Sequence, residues 1–176
     1  MIPMTDMLVK LYDLPPLAPA LAQCTAHGVD IRRAIAVEKH IVLPWIGEHF
    51  SQGWVSECDG ALARLPVACF IATQDNTLIG FACYDGDWKG VFGPMGVSEE
   101  ARGKGVGAAL LLACLHDMLA QGYAYAIIGW TGPQEFYTKI CGATPIEGSR
   151  PGMFRSMLIQ TPDVNLASEE VFPPES

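Results

Sequence analysis

The chain has 176 residues, half of them hydrophobic and 17% charged, which suits one globular domain and excludes a disordered acidic chain. Its formal net charge is −8, and residues 163–176 carry Asp163, Glu169, Glu170 and Glu175 without a Lys or Arg. The body keeps 15 acids and 11 bases, so neither part has the basic footprint that a nucleic-acid backbone demands.

From the N-terminus, residues 7–12 alternate apolar and polar and predict a strand, closed by Pro15 and Pro16. Residues 17–27 predict a helix stopped by Gly28. Residues 31–43 mix strand and helix spacing, Pro44 is placed to open a short helix, and residues 54–62 have helical spacing that ends before Pro66. Residues 67–73 and 77–85 read as strands around Gln74-Asp75-Asn76, a hairpin signal. A turn at Asp85-Gly86-Asp87 leads to a strand over 89–97.

Residues 105–121 predict a helix that is apolar on most faces and therefore buried. Residues 123–130 have little polar character, fitting a central strand covered on both faces. Pro133 suits the first turn of a short helix, and Gly142 suits its stop. Residues 144–146 and 154–160 predict a final pair of strands, so a single domain spans 1–162 and an acidic tail 163–176.

Six cysteines are scattered without a C-x-x-C pair, which gives no support to a metal site. They read as reduced, mostly buried thiols of a cytoplasmic protein, and the first residues lack the basic and apolar run of a secretory leader. The longest uncharged stretch, 118–134, is interrupted by glycines and polar residues and predicts no membrane span. Slightly positive mean hydropathy makes a homodimer an expectation.

The chemistry is concentrated between the strand at 89–97 and the long helix, in Val97-Ser98-Glu99-Glu100-Ala101-Arg102-Gly103-Lys104-Gly105-Val106-Gly107-Ala108. Three glycines in five residues at a helix start let backbone N–H groups approach an anion closely. The helix dipole and the charges of Arg102 and Lys104 favour the same ligand, a phosphate or pyrophosphate. Gly103-x-Gly105-x-x-Ala108 also fits a dinucleotide fingerprint. That reading predicts an acid at the end of the next strand, and none occurs between Asp117 and Glu135. A Walker A loop fails because no Gly-Lys precedes Ser or Thr.

Arg102-x-x-Gly105-x-Gly107 resembles the R/Q-x-x-G-x-G/A signature of the GNAT superfamily of acyl-CoA-dependent N-acetyltransferases. The order of elements around it, including the helix with Phe136-Tyr137-Thr138-Lys139, is similar as well. The resemblance covers about residues 77–159. It implies an α/β (α+β) fold with a mixed, mostly antiparallel sheet of about seven strands flanked by helices. It also implies acetyl-CoA as co-substrate, with a small-molecule or protein amine as acceptor. By the same resemblance the amides from Gly103 to Ala108 hold the pyrophosphate, with Arg102 and Lys104 beside them. Met95, Gly96 and Val97 pair with the pantetheine arm, and Tyr137 protonates the leaving thiolate after direct attack by a neutral amine.

Two departures stand out. The family often has Asn and Ala seven and four residues before that tyrosine, where this chain has Trp130 and Pro133. The strands at 89–97 and 123–130 carry no carboxylate or histidine, so the general base falls to Asp85, Glu38, Glu48 or His49, or acts through water. Turn chemistry alone accounts for Asp85 and Asp87. Helical packing is the alternative reading of Tyr137, which its position in the family pattern makes catalytic, and Trp45, Trp54 and Trp88 read as core or pocket aromatics. A non-catalytic acyl-CoA-binding module is the alternative to the enzyme, and a nucleotide-dependent oxidoreductase the third reading.

Overall fold

The computed structural model describes residues 4–158. Seven strands form one sheet in the order β2-β3-β4-β5-β6-β1-β7. They are β1 (Thr5–Lys10), β2 (Val29–Arg33), β3 (Cys69–Gln74), β4 (Thr77–Tyr84), β5 (Val91–Val97), β6 (Tyr125–Thr131) and β7 (Thr144–Pro145). Every neighbouring pair is antiparallel except β5 with β6. The helices are α1 (Ala18–Ala26), α2 (Lys39–His49), α3 (Gln52–Leu62), α4 (Val106–Ala120) and α5 (Gln134–Cys141).

Local chemistry accounts for most boundaries. Asp75 and Asn76 both take positive φ, 48° and 58°, so β3 and β4 are joined by a two-residue turn of the primed kind that suits strand twist. The Ser51 hydroxyl accepts from Trp54 N at 3.3 Å and caps α3. α4 buries Leu110, Leu111, Leu115 and Met118 completely, as its apolar sequence requires.

The segment 31–43 resolves into β2, a single 3₁₀ turn at Ala36–Glu38, and the start of α2. Pro44 therefore lies inside α2 instead of opening it. Glu38 explains the earlier start. Its carboxylate takes the Ile35 N–H at 2.9 Å and both terminal nitrogens of Arg32, fixing the turn from which the helix grows.

The C-terminal expectation also differs. β7 pairs with β1, and residues 154–156 form turns; the remainder of the expected strand and the acidic tail lie outside the described residues. No described helix is long and apolar enough to cross a membrane.

The two faces of the sheet have different covers. A Cβ on Gly80 would meet Leu110 of α4, whereas the next residue, Phe81, packs on Phe50 and Trp54. Thus α4 covers one face, and the α2–α3 hairpin covers the other.

Candidate active site

Among the described residues, the parallel pair β5 and β6 is the one break in the antiparallel sheet, and it is joined at two positions, Val91 with Ile127 and Phe92 with Ile128. Beyond Phe92 they part. The register with β4 shows the cause: Ala82 faces Met95 and Tyr84 faces Phe92, so β5 spends one more residue than β4 over this interval. This bulge contains Gly93-Pro94, with Gly93 at φ 124°, and a bulge bends its strand away from a neighbour. Five residues from Phe92 to Val97, at about 3.3 Å each, give a wedge roughly 16 Å deep.

Backbone groups face into this wedge. Ser98 N donates to Ile79 O at 2.8 Å, and residues of an antiparallel pair alternate in direction. Gly96 therefore turns its N–H and C=O to β4, while Met95 and Val97 turn theirs to the wedge. The side chains of Met95 and Val97 lie toward α4, where their tips come within 4.0 Å and 3.9 Å of a Cβ placed on Gly107.

The loop at the wedge mouth leads into α4. Among the described residues, none of the amides from Gly103 to Ala108 donates to a protein acceptor, as expected of a helix start. Gly103 and Gly105 have φ of 78° and 77°, a region that other residues enter only under strain. A Cβ on Gly105 would lie 2.8 Å from Gln23 Cδ of α1, whereas one on Gly103 meets nothing within 4 Å. Lys104 Nζ leans 3.4 Å from Gln74 Oε1, and Arg102 has no ion-pair partner among the described residues. These amides, the dipole of α4 and two cations make a receptor for an anionic group.

Tyr137 sits at the other end of the wedge. Its ring packs edge-on against Phe92, the residue at which β5 and β6 part, with centroids 6.4 Å apart. Its hydroxyl has no hydrogen-bond partner among the described residues, and burial, then the Cys141 thiol, push its pKa above the ordinary tyrosine value. It is a neutral O–H donor at the narrow end of the wedge.

Asp85 lies past that narrow end. One carboxylate oxygen accepts from Gly90 N at 2.7 Å and the other from Tyr123 OH at 2.5 Å. Burial, then this carboxylate, push the Tyr123 hydroxyl up to about 12. Asp85 also lines a cavity of about 260 Å³ with Arg64, Lys89 and Gln121, at the opposite end of β5 from the glycine loop. The structure therefore places Asp85 as an anchor of the β4–β5 loop.

Of the other base candidates, Glu38 is engaged by Arg32, which holds its carboxyl below the usual range. Glu48 and His49 are exposed, and His49 stacks on Trp45 at 4.3 Å.

Two further carboxylates face each other, Glu57 on α3 and Asp87 on the β4–β5 loop. Glu57 sits one turn after Trp54 on α3, and a Cβ on Gly86 would come within 2.7 Å of its carbonyl, so the loop carrying Asp87 lies directly on the helix. Burial, then the facing Asp87 carboxylate, push Glu57 up to about 8. Burial raises Asp87 as well. Sequence reasoning weighed Asp87 as a turn residue and passed over Glu57. The signal available was an acid in helical register with a tryptophan, which many surface helices share.

All six cysteines are buried. Cys58, Cys69 and Cys83 bring their sulfurs within 4.8 Å of one another in the core under α3, a juxtaposition that sequence spacing does not reveal.

A family model for the acetyltransferase (GNAT) family matches residues 36–143. The chain belongs to the GNAT family. Its N-acetyltransferase fold is shared with a glucosamine N-acetyltransferase region of a fungal multi-domain GH3 β-N-acetylglucosaminidase, at TM-score 0.68 and 14% identity over 81% of this chain and 20% of that one. A GCN5-related N-acetyltransferase from Sphaerobacter thermophilus superposes at TM-score 0.61 and 18% identity, over 82% of this chain and 49% of that one. One from Kribbella flavida gives 0.56 and 18%, over 81% and 54%. The chain thus spans between a fifth and about half the length of these structures. Among curated proteins, none matches in sequence. The mixed sheet of seven strands is the one expected of a GNAT chain.

Proposed function

We propose that the protein transfers an acetyl group from acetyl-CoA to a primary amine by direct attack. The observation that supports this most is the wedge itself. Unspent amides at its mouth, wedge-facing backbone groups of Met95 and Val97 along its side and a neutral tyrosine at its narrow end form one continuous track.

Along that track the amides from Gly103 to Ala108 take the pyrophosphate, with Arg102 and Lys104 adding charge at its edge. The pantetheine arm pairs with the open edge of β5, and the Met95 N–H polarises the thioester carbonyl. The amine lone pair forms the new C–N bond and leaves an oxyanion. Collapse of that oxyanion breaks the C–S bond, and the departing thiolate takes the Tyr137 proton. The proton lost by the amine passes to the Glu57–Asp87 pair, directly or through water, and solvent returns one to Tyr137. Asp85 takes no proton in this scheme: it holds the loop from which Asp87 projects.

A thermal melt with acetyl-CoA, with NAD as control, tests the donor assignment. At about 100 times its dissociation constant a ligand stabilises by roughly 2.7 kcal/mol, which for this size raises the melting temperature by about 5–10 °C. A shift with NAD and none with acetyl-CoA overturns the assignment.

A further inference from the structure

β2 is the outermost strand beside β3, and among the described residues no strand pairs with its other edge. One bond fixes the direction of its backbone groups. Ala34 N donates to Cys69 O of β3 at 2.9 Å, and residues of an antiparallel pair alternate in direction. Asp30 and Arg32 therefore spend their N–H and C=O on β3, while Val29, Ile31 and Arg33 turn theirs outward. Arg33 O accepts from the exposed Arg32 guanidinium at 3.2 Å, as an outward carbonyl can.

An open edge invites a further strand, and proteins commonly blunt it with charge. Here the charges alternate in sign. Asp30 and Arg32 are exposed, stand two apart and so project from the same face. Consider β2 laid antiparallel against a second β2 and centred on Ile31. Ile31 then meets its own copy and Val29 meets Arg33, so the outward-facing residues pair and exchange both N–H···O bonds. Between them, Asp30 of each chain lies opposite Arg32 of the other, at the close positions where cross-strand side chains interact. Sliding one strand by two residues keeps the backbone bonds but sets Arg32 against Arg32, or Asp30 against Asp30. The two charges therefore select a single register.

Apolar surface lies beside this edge. Glu38 holds Arg32 through both terminal nitrogens, which places the 3₁₀ turn at Ala36–Glu38 next to Arg32. Ile35, Val37 and Ile41, before, in and just after that turn, are 55%, 70% and 55% exposed. In the paired arrangement Arg32 and its copy are diagonal neighbours about 7–8 Å apart. The two turns then lie side by side across the axis, where these side chains lose water.

We propose that β2 is the edge through which two copies of this chain pair, antiparallel and centred on Ile31, as a homodimer with one continuous sheet. Arg32 stands there between its own Glu38 and the other copy's Asp30. An unrelated strand would gain the backbone bonds but leave Asp30 and Arg32 without matched charges, so the pattern fits a second copy.

Sedimentation equilibrium of the full chain tests this. At about 100 μM, well above a Kd of about 1 μM, the wild type is expected at twice its chain mass of 19.0 kDa. A single-chain mass there overturns the inference. Asp30 has no side-chain partner among the described residues, so Asp30→Lys keeps the fold while setting like charges opposite each other at two symmetric positions. Its Kd is expected to rise by at least about tenfold. Arg32→Glu makes the same conflict with the opposite sign. Mixing the two variants restores both pairs, and the mixed dimer is expected to form at least about tenfold more tightly than either variant alone, a rescue that a folding defect does not produce. A Kd for Asp30→Lys equal to that of the wild type overturns the inference, as does a mixture of the folded variants that gains nothing. Hydrogen exchange needs no variant. The amides of Val29, Ile31 and Arg33 are expected to exchange more slowly as chain concentration rises, and a wild-type dimer that leaves them unprotected overturns this interface.

Discussion

Gly103→Val separates the anion receptor from the fold. The residue has φ 78°, and a Cβ there meets nothing within 4 Å, so the substitution collides with no protein atom. Its structural cost is the left-handed backbone, about 1–2 kcal/mol, or a melting decrease of roughly 2–8 °C at this size. The branched side chain stands where the phosphate must approach. Loss of one charge-assisted hydrogen bond costs about 1.5–3 kcal/mol, equivalent to a 10- to 150-fold rise in Kd at about 1.4 kcal/mol per tenfold. Gly122→Val is the control: it also has positive φ, 99°, and open space, but it follows the far end of α4. Isothermal titration with acetyl-CoA below both melting transitions compares them. Equal affinities for the two variants would refute the receptor. Gly105→Val is a poorer probe, because its Cβ also meets Gln23 at 2.8 Å.

Tyr137→Phe should lower kcat by about 10²-fold or more, the scale of a positioned acid, while acetyl-CoA affinity and melting temperature hold, because the hydroxyl has no described protein partner to lose; an unchanged kcat removes it from the chemistry. Glu57→Gln should abolish the limb of the pH–rate profile near pH 8, where the carboxyl pair gives up its shared proton. The same pair sets a stability signature: folded Glu57 titrates at about 8 and an ordinary Glu near 4.5, so its contribution is complete below pH 4.5 and is lost as pH rises through 8. Melting temperature should therefore fall between those values more steeply in wild type than in Glu57→Gln, and parallel curves would contradict the assignment. Asp85→Ala should leave the Gly90 N–H and Tyr123 hydroxyl unpartnered and cost about 2–4 kcal/mol, a melting decrease of roughly 5–15 °C; an unaltered melt with a collapsed kcat would instead place Asp85 at the reacting atoms.

The glycine loop of the candidate site was legible in the sequence because backbone builds it. Glycines at 103, 105 and 107 followed by an apolar helix specify free amides through local conformation alone, and the structure places them at the wedge mouth. The wedge itself had a readable sign: Gly93-Pro94 sits inside a predicted strand, and Pro in a strand interior marks an edge or a bulge. Glu57 was not legible. Its meeting with Asp87 depends on Gly86 and Gly60 letting the β4–β5 loop press on α3, a long-range contact between residues that no periodicity links. The last strand was misplaced for a similar reason. Residues 5–10 and 154–160 both have apolar character, and propensity does not say which of them β6 takes as its neighbour; β1 does, through five register pairs.

That choice of neighbour also shapes the end of β6. With β1 beside β6, Asp6 comes within reach of the Trp130 amide, and the extra β6 residue between Thr131 and Ile128 turns Trp130 into the left-handed region. With 154–158 free of strand pairing, Met153 and Phe154 fold back over Gly129. The glycine loop and the wedge are thus built from strand and helix termini that the fold supplies. The Glu57–Asp87 pair and the cover over Gly129 come instead from side chains that α3, the β4–β5 loop and the segment after β7 bring in from outside the sheet.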